Sequence, residues 1–308
     1  IIFAIATALM AFANNIYLIY ALRFLAGIGA GGEYGVGIAL IAENFHKEQI
    51  GKMTSVAAIG GQIGAILAAL IAAWIIPVAG WHMLFLVGIL PVILTIFIRK
   101  HVHESEQFIK AQASESNSLL SDVAKKMFST PHLAWQTVGL MIMMTVQIAG
   151  YFGLMNWLPT IVQKQLNLNV SNSSLWMIST IIGMSIGMMT FGSIFDYFGP
   201  RRAFAIFLIG SALMVYTLSL AQNMTMLLII GAVVGFFSNG MFGGYGAVIS
   251  RLYPTEIRSS ANNIIVNVGR AIGGFSSVVI GILMDKYNLG VVMGFLSALY
   301  LLSFVVMI

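Results

Sequence analysis

An all-α polytopic membrane protein is the fold class this sequence predicts, on three observations. First, 59% of the residues are hydrophobic and only 8% are charged, against roughly 25% charge in an ordinary soluble domain. A chain of 308 residues cannot hide that much apolar surface in a core surrounded by water, whereas lipid accepts it. Second, apolar runs close to the ~20 residues that cross a bilayer recur along the whole length. Third, most connections between runs are short and polar, as required where backbone groups must be satisfied inside the hydrocarbon.

The runs fall at about 1–14, 17–42, 53–76, 82–99, 133–157, 173–195, 203–221, 225–250, 260–284 and 288–308, which predicts about ten membrane-spanning helices. One connection differs from the others. Residues 100–132 carry His101, His103, Glu104, Glu106, Lys110, Glu115, Asp122, Lys125 and Lys126. This reads as a polar linker with a short surface helix around 119–128. It divides an N-terminal bundle (1–99) from a C-terminal six-helix bundle (133–308). Of the 15 basic residues, 11 fall on the linker side of the predicted spans. Lys164 and Lys286 lie opposite, and Arg23 and Arg270 lie within helices. The positive-inside bias therefore places the linker in the cytoplasm of a cell-membrane protein.

An internal echo bears on the helix count. Gly29, Gly32, Tyr34 and Gly35 recur as Gly240, Gly243, Tyr245 and Gly246, a constant offset of 211. Glu43 and Glu256 recur at an offset of 213, as do the Gly60–Gly61 and Gly273–Gly274 pairs. The second and fourth helices here thus match helices of the later bundle. The later bundle has six helices and the earlier one four, and the chain begins at Ile1 inside an apolar run. Two helices are expected to precede it, completing two six-helix halves.

Several function classes are excluded. With no Cys there is neither a disulfide framework nor a thiolate metal site. The five His lie in loops or at helix ends, and His101 with His103 lacks the further ligands a metal site needs. Gly27, Gly29, Gly31 and Gly32 have no preceding strand or Walker lysine, so they are packing glycines and not a phosphate cradle. No basic and aromatic tract points to nucleic acid. The spans assemble no nucleophile, so neither an enzyme nor a cofactor is expected, apart from the proton as coupling ion.

The sequence resembles the major facilitator superfamily over essentially its whole length. Residues 192–202, with Gly192, Asp196, Gly199, Pro200, Arg201 and Arg202, resemble that superfamily's loop between the second and third helices of a half. Residues 251–258, with Arg251, Pro254, Glu256 and Arg258, resemble its loop between the tenth and eleventh helices. Residues 23–33, from Arg23 through Gly27, Gly29, Gly31 and Gly32 to Glu33, resemble the fourth-helix pattern, and Trp81 to Pro91 the sixth. Gly31 to Gly35, taken with Asn156 to Thr160, is similar to the metabolite:proton symporters, among them sialate, aromatic-acid and monocarboxylate carriers. One position departs: Ile50 stands where many members carry Arg, leaving Lys47 and Lys52 as the nearby cations. The resemblance implies a monomeric unit of two six-helix bundles that works by alternating access.

Intramembrane charges are costly and are therefore the first functional candidates. Arg23 is either a structural cation or, as the resemblance implies, linked to proton coupling. Glu33 lies about 15 Å further along the same helix. Burial raises a carboxyl pKa toward physiological pH, which suits a proton carrier, although a permanently paired carboxylate fits as well. Arg270 stands among small residues, where it binds a substrate carboxylate or an inter-helix acid. Gln62, Gln147, Tyr151, Asn156, Asn239, Tyr245, Asn263 and Asn267 complete the candidate substrate contacts. The Gln147/Tyr151 and Asn263/Asn267 pairs are each i,i+4 and share a helix face. Glu43, Asp196, Arg201, Arg202, Glu256 and Arg258 are the candidate cytoplasmic gate. The reading these residues support is proton-coupled import of a small organic anion across the bilayer. A neutral-sugar facilitator and a drug or metabolite exporter are the alternatives.

Overall fold

The computed structural model describes residues 2–31, 33–46, 48–90, 120–157 and 170–308. All regular structure among these residues is helical. A first block contains α1 (Ile2–Leu9), α2 (Ile16–Gly31), α3 (Glu33–Asn44) and α4 (Ile50–Val87). The short α5 (Leu120–Met127) follows. The second block contains α6 (Pro131–Phe152), α7 (Val170–Phe198), α8 (Pro200–Thr217), α9 (Met224–Gly240) and α10 (Phe242–Leu252). It continues with α11 (Thr255–Gly274), α12 (Ser276–Lys286) and α13 (Leu289–Met307).

Among the described residues, eight helical segments are long and apolar enough to cross a membrane; Ile16–Asn44, Met224–Leu252 and Thr255–Lys286 are each built from two consecutive helices. Two shorter apolar helices, Ile2–Phe12 and Val78–Val87, sit where the first and fourth sequence-predicted spans lie. Every one of the ten apolar runs thus contains helix. Residues 91–99 of the fourth run and 100–119 of the linker lie outside the described residues, and α5 occupies the position expected for the surface helix. The break predicted between 76 and 82 takes a different form. The helix continues to Gly80 and turns there at φ 76°, ψ 170°, a left-handed backbone that favours glycine.

Span ends are marked by residues that satisfy the first helical amides as the chain leaves the lipid. The Leu133 amide donates to the Thr130 hydroxyl at 3.2 Å, ahead of α6, whose first residue is Pro131. The Met226 amide donates to Asn223 at 2.8 Å and the Val291 amide to Asn288 at 3.1 Å. Each cap supplies an acceptor that the helix itself cannot provide.

The second block holds the larger core. Phe191 of α7 lies edge-on to Phe204 and Phe207 of α8, with centroids 5.1 and 5.0 Å away, and all three rings are buried. Close approach of α7 to α9 depends on Gly183 and Gly187, where a methyl group would run into the Ala232 and Phe236 carbonyls. In lipid, where apolar surface gains little by leaving its surroundings, such small-residue contacts are a main source of helix association. The first block packs more sparsely, around Ala6, Met10, Ala13, Leu22 and Ala26. The blocks meet where α3 crosses α11 and where α4 runs along α7 and crosses α10.

Candidate functional site

The seam between the blocks gathers most of the polar groups singled out in the sequence. Its most closely bonded part lies toward the end of the bundle that carries Lys52, Arg201, Arg251 and Arg258, called here the basic end.

On one side of the seam, α11 grips the span formed by α2 and α3. The Gly35 amide donates to Asn263 Oδ1 at 2.8 Å, and Asn267 Nδ2 donates to the Gly31 carbonyl at 2.8 Å. Gly31 and Gly35 are four residues apart, so these are the acceptor and the donor of one helical step. Asn263 and Asn267 share the same spacing, and the i,i+4 face predicted from sequence is what meets that step. A Cβ at Gly35 would overlap the Ser259 carbonyl and Asn263, so glycine here is a condition of the contact. Nearer the basic end, Arg258 is half-buried and faces both Glu43, from the opposite block, and Glu256.

On the other side, the end of α7 clasps the start of α4. Asp196 accepts from the Gly51 amide at 3.0 Å and from the Lys52 amide at 2.8 Å. A carboxylate at a helix N-terminus satisfies orphan amides and complements the positive end of the helix dipole. Arg251 Nη2 lies 3.3 Å from the same Asp196 carboxylate, and its guanidinium sits 4.7 Å above the Phe195 ring. Small residues complete this side. Gly192 leaves room for Gly51 and Lys52, Gly243 for Ser55, and Gly246 for Ile38. Gly35, Gly243 and Gly246, which the internal echo had matched, all lie on the seam.

The loop after α10 is pinned from behind. Thr137 Oγ1 bonds Tyr253 Oη at 2.5 Å and also donates to the Met127 and Leu133 carbonyls, tying α5, α6 and this loop together. Tyr253 is buried, which pushes its phenol above the ordinary value, partly offset by the Thr137 bond.

Other candidates are placed elsewhere. Gln147 is buried within the second block, where its Nε2 donates to the Ser238 carbonyl at 3.0 Å and to Asn239 Oδ1 at 2.8 Å. Tyr245 is fully enclosed, with its hydroxyl on the Met143 carbonyl at 3.2 Å and its ring against Phe204. All three side chains are buried, and Gln147 Oε1 has no hydrogen-bond partner among the described residues. Tyr151 is half-buried among Met155, Ile181 and Met184. Gln62 is half-buried, its Oε1 without a hydrogen-bond partner among the described residues. Arg23 is exposed, its guanidinium 5.8 Å from the Phe85 ring. Arg270 is exposed one turn beyond Asn267, in the neighbourhood of Tyr34 of α3. Arg201 and Arg202 are exposed at the start of α8 and do not reach Asp196. The side chains of Glu33 and Asn156 lie outside the described part of the structure. Among the described residues no three potential metal ligands cluster.

Two residues that make contacts at the basic end were not singled out in the sequence. Arg251, not Arg258, is the partner of Asp196. It stood in the 251–258 motif, and its position at the end of α10 was the available signal. Tyr253 carried no sequence signal beyond its neighbours.

The chain matches a family model described as Major Facilitator Superfamily over residues 1–186 and 161–308. A putative metabolite transport protein of Haemophilus influenzae is 36% identical over 98% of this chain and 75% of its own length. A probable 4-methylmuconolactone transporter of Cupriavidus pinatubonensis is 30% identical over 95% of this chain and 68% of its own. The sialic acid transporter NanX of Escherichia coli is 28% identical over 94% of this chain and 70% of its own. In fold, the proton:xylose symporter XylE superposes with a TM-score of 0.77 over 99% of this chain and 76% of its own, at 17% identity.

Proposed function

Since the chain belongs to the Major Facilitator Superfamily, we propose that it imports a small organic anion together with a proton by alternating access. The basic end is then cytoplasmic, residues 1–99 and 133–308 are the two bundles that rock, and 100–132 is the linker between them. The gripped seam at Asp196, Asn263 and Asn267 is the inner mouth held shut.

The observation that carries the anion reading is Arg270. It is exposed one turn past the Asn267–Gly31 hydrogen bond between the blocks, in the neighbourhood of Tyr34 of the opposite one. A guanidinium held there recognises a carboxylate through paired N–H donors, and its position makes it a group that inner-mouth opening would uncover. The names of the relatives, a sialic acid transporter and a 4-methylmuconolactone transporter, favour the same chemical class. Glu33 opens α3 on the same span as Gly35 and is the carboxyl assigned to the proton. Arg23, on the same span, is its assigned helper.

The test is substrate-induced proton movement in proteoliposomes containing the full-length protein, across sialate, hydroxybenzoates, lactate, shikimate and a neutral sugar. External alkalinisation on addition of one organic acid is expected. Glu33→Gln is expected to abolish it while labelled acid still equilibrates. Arg270→Gln is expected to raise KM for the acid by roughly ten- to a hundredfold, the range for losing a charge-assisted contact. Proton-independent equilibration of the sugar alone would replace this reading with a facilitator.

A further inference from the structure

A half-open cavity of about 370 Å³ lies in the second block at the basic end, between α6, α8, α10 and α13 and away from the seam. Its mouth is polar and cationic, formed by His132 and Gln136 of α6 and Arg201 of α8. Its wall is apolar, with Leu140, Phe204 and Val306 among the lining side chains, and none of the lining residues is acidic. Arg201 makes no ion pair among the described residues, because the Asp196 clasp is completed by Arg251. No side chain caps the N-terminus of α8 next to it, so amides there are available to an anionic oxygen.

Two of the helices that border this cavity, α8 and α13, also carry part of the outer surface of the bundle. Ile206, Ile209 and Leu213 of α8 are exposed, as are Leu301, Leu302 and Val305 of α13, and in a spanning protein such a belt faces hydrocarbon. Trp135, 68% exposed, stands beside the mouth near the end of α6, the level at which tryptophan marks the boundary between lipid and water. A soluble anion would use only the mouth and leave the apolar wall unfilled. A ligand with an anionic head and an acyl tail uses both and continues onto the belt.

We propose that this groove is a binding site for an anionic phospholipid of the leaflet at the basic end, with its phosphate on Arg201, His132 and the start of α8, and its first acyl carbons against Leu140 and Phe204. Basic pockets between spanning helices recognise such headgroups by the same combination of charge and apolar depth. The site is separate from the seam and does not depend on which substrate is carried.

Full-length protein released from nanodiscs of mixed composition tests this by native mass spectrometry, with phosphatidylglycerol and phosphatidylcholine as the probes. Phosphatidylglycerol is expected to be retained over phosphatidylcholine by about fivefold or more, one molecule per chain above background. Two variants attack the site independently. The double substitution Arg201→Gln and His132→Gln is expected to erase the preference. Gly139→Leu fills the groove with the charges intact. A Cβ at 139 meets only Val306, its side chain at 3.4 Å and its carbonyl at 4.0 Å, ordinary contacts that the fold tolerates. This variant is expected to lose both retention and quenching of Trp135 fluorescence by brominated phosphatidylglycerol, measured against Trp135→Phe. Equal retention of the two lipids, retention unchanged in both variants, or displacement of the lipid by millimolar inorganic phosphate would each overturn the proposal, the last by assigning the mouth to a soluble anion.

Discussion

The deep and the shallow parts of the seam hold the same two blocks together by different physics. Where α11 meets α2 and α3, neutral amides of Asn263 and Asn267 bond to backbone in the middle of a span. Where α7 and α10 meet α4, a carboxylate caps a helix start, an arginine neutralises it, and glycines admit bare backbone. The difference follows from depth. A charge in mid-membrane is costly, so the deep contact uses neutral groups that can also be satisfied when it opens. The shallow contact lies at the helix end, where water can take over the charges on release, so ionic groups are affordable there.

This contrast can be broken or sharpened by substitution, the steric changes first. Gly35→Val places a branched side chain into the Ser259 carbonyl and Asn263, and Gly243→Val places one into the Ser55 backbone. Either is expected to prevent closure at the basic end and to reduce uptake by more than about tenfold, the consequence of an overpacked contact costing several kcal/mol. Accessibility of a cysteine introduced as Asn267→Cys, probed from each membrane face, reads this out, and the chain supplies no other thiol. Unchanged accessibility would show that the glycines are not what lets the blocks close.

Next in size is Asp196→Asn, which removes the charge from both the α4 amides and Arg251. The loss is expected to be about 1.5–3 kcal/mol, the range for a charge-assisted bond, and to shift the accessibility equilibrium roughly tenfold or more. Raising the salt to about 1 M is expected to narrow the gap between wild type and this variant, since a pair near the surface is screened. A gap that persists in salt would mean that the amide caps matter and the charge does not.

Asn263→Ala and Asn267→Ala each remove a neutral bond across the seam, and each such bond is expected to contribute about 1 kcal/mol, a shift of roughly fivefold, with no salt dependence. A response to salt equal to that of Asp196→Asn would remove the distinction between the deep and shallow contacts. The smallest effect is expected from Ser55→Ala. The Ser55 hydroxyl is buried with no hydrogen-bond partner among the described residues, so its removal is expected to leave uptake unchanged and thermal stability equal or up to about 1 kcal/mol higher.

Parts of the site were legible before the structure. The i,i+4 spacing of Asn263 and Asn267 announced a shared polar face, and the echo of Gly35 in Gly246 announced two related close approaches. The pairing of acid and arginine was legible as a category but not in its partners. Asp196 is close in sequence to Arg201 and Arg202, yet it turns toward Arg251, because the rotation of α7 directs it at the start of α4 and the end of α10. Gln147, Asn239 and Tyr245 read equally well as substrate contacts or as packing. The structure adds their burial and their bonds within the second block.

The sequence alone determined that this chain lives in a bilayer, that it is built of successive apolar helices, and which end of the bundle is basic. Those properties depend on local composition and spacing, because lipid imposes the same length and polarity on each span separately. The tertiary structure decided which helix faces meet, that a neutral grip lies deep and an ionic one shallow, and that Arg201 is left to border a groove away from the seam. Those outcomes depend on the rotation and approach of helices distant in the chain, and no local pattern encodes the angle at which two helices pack.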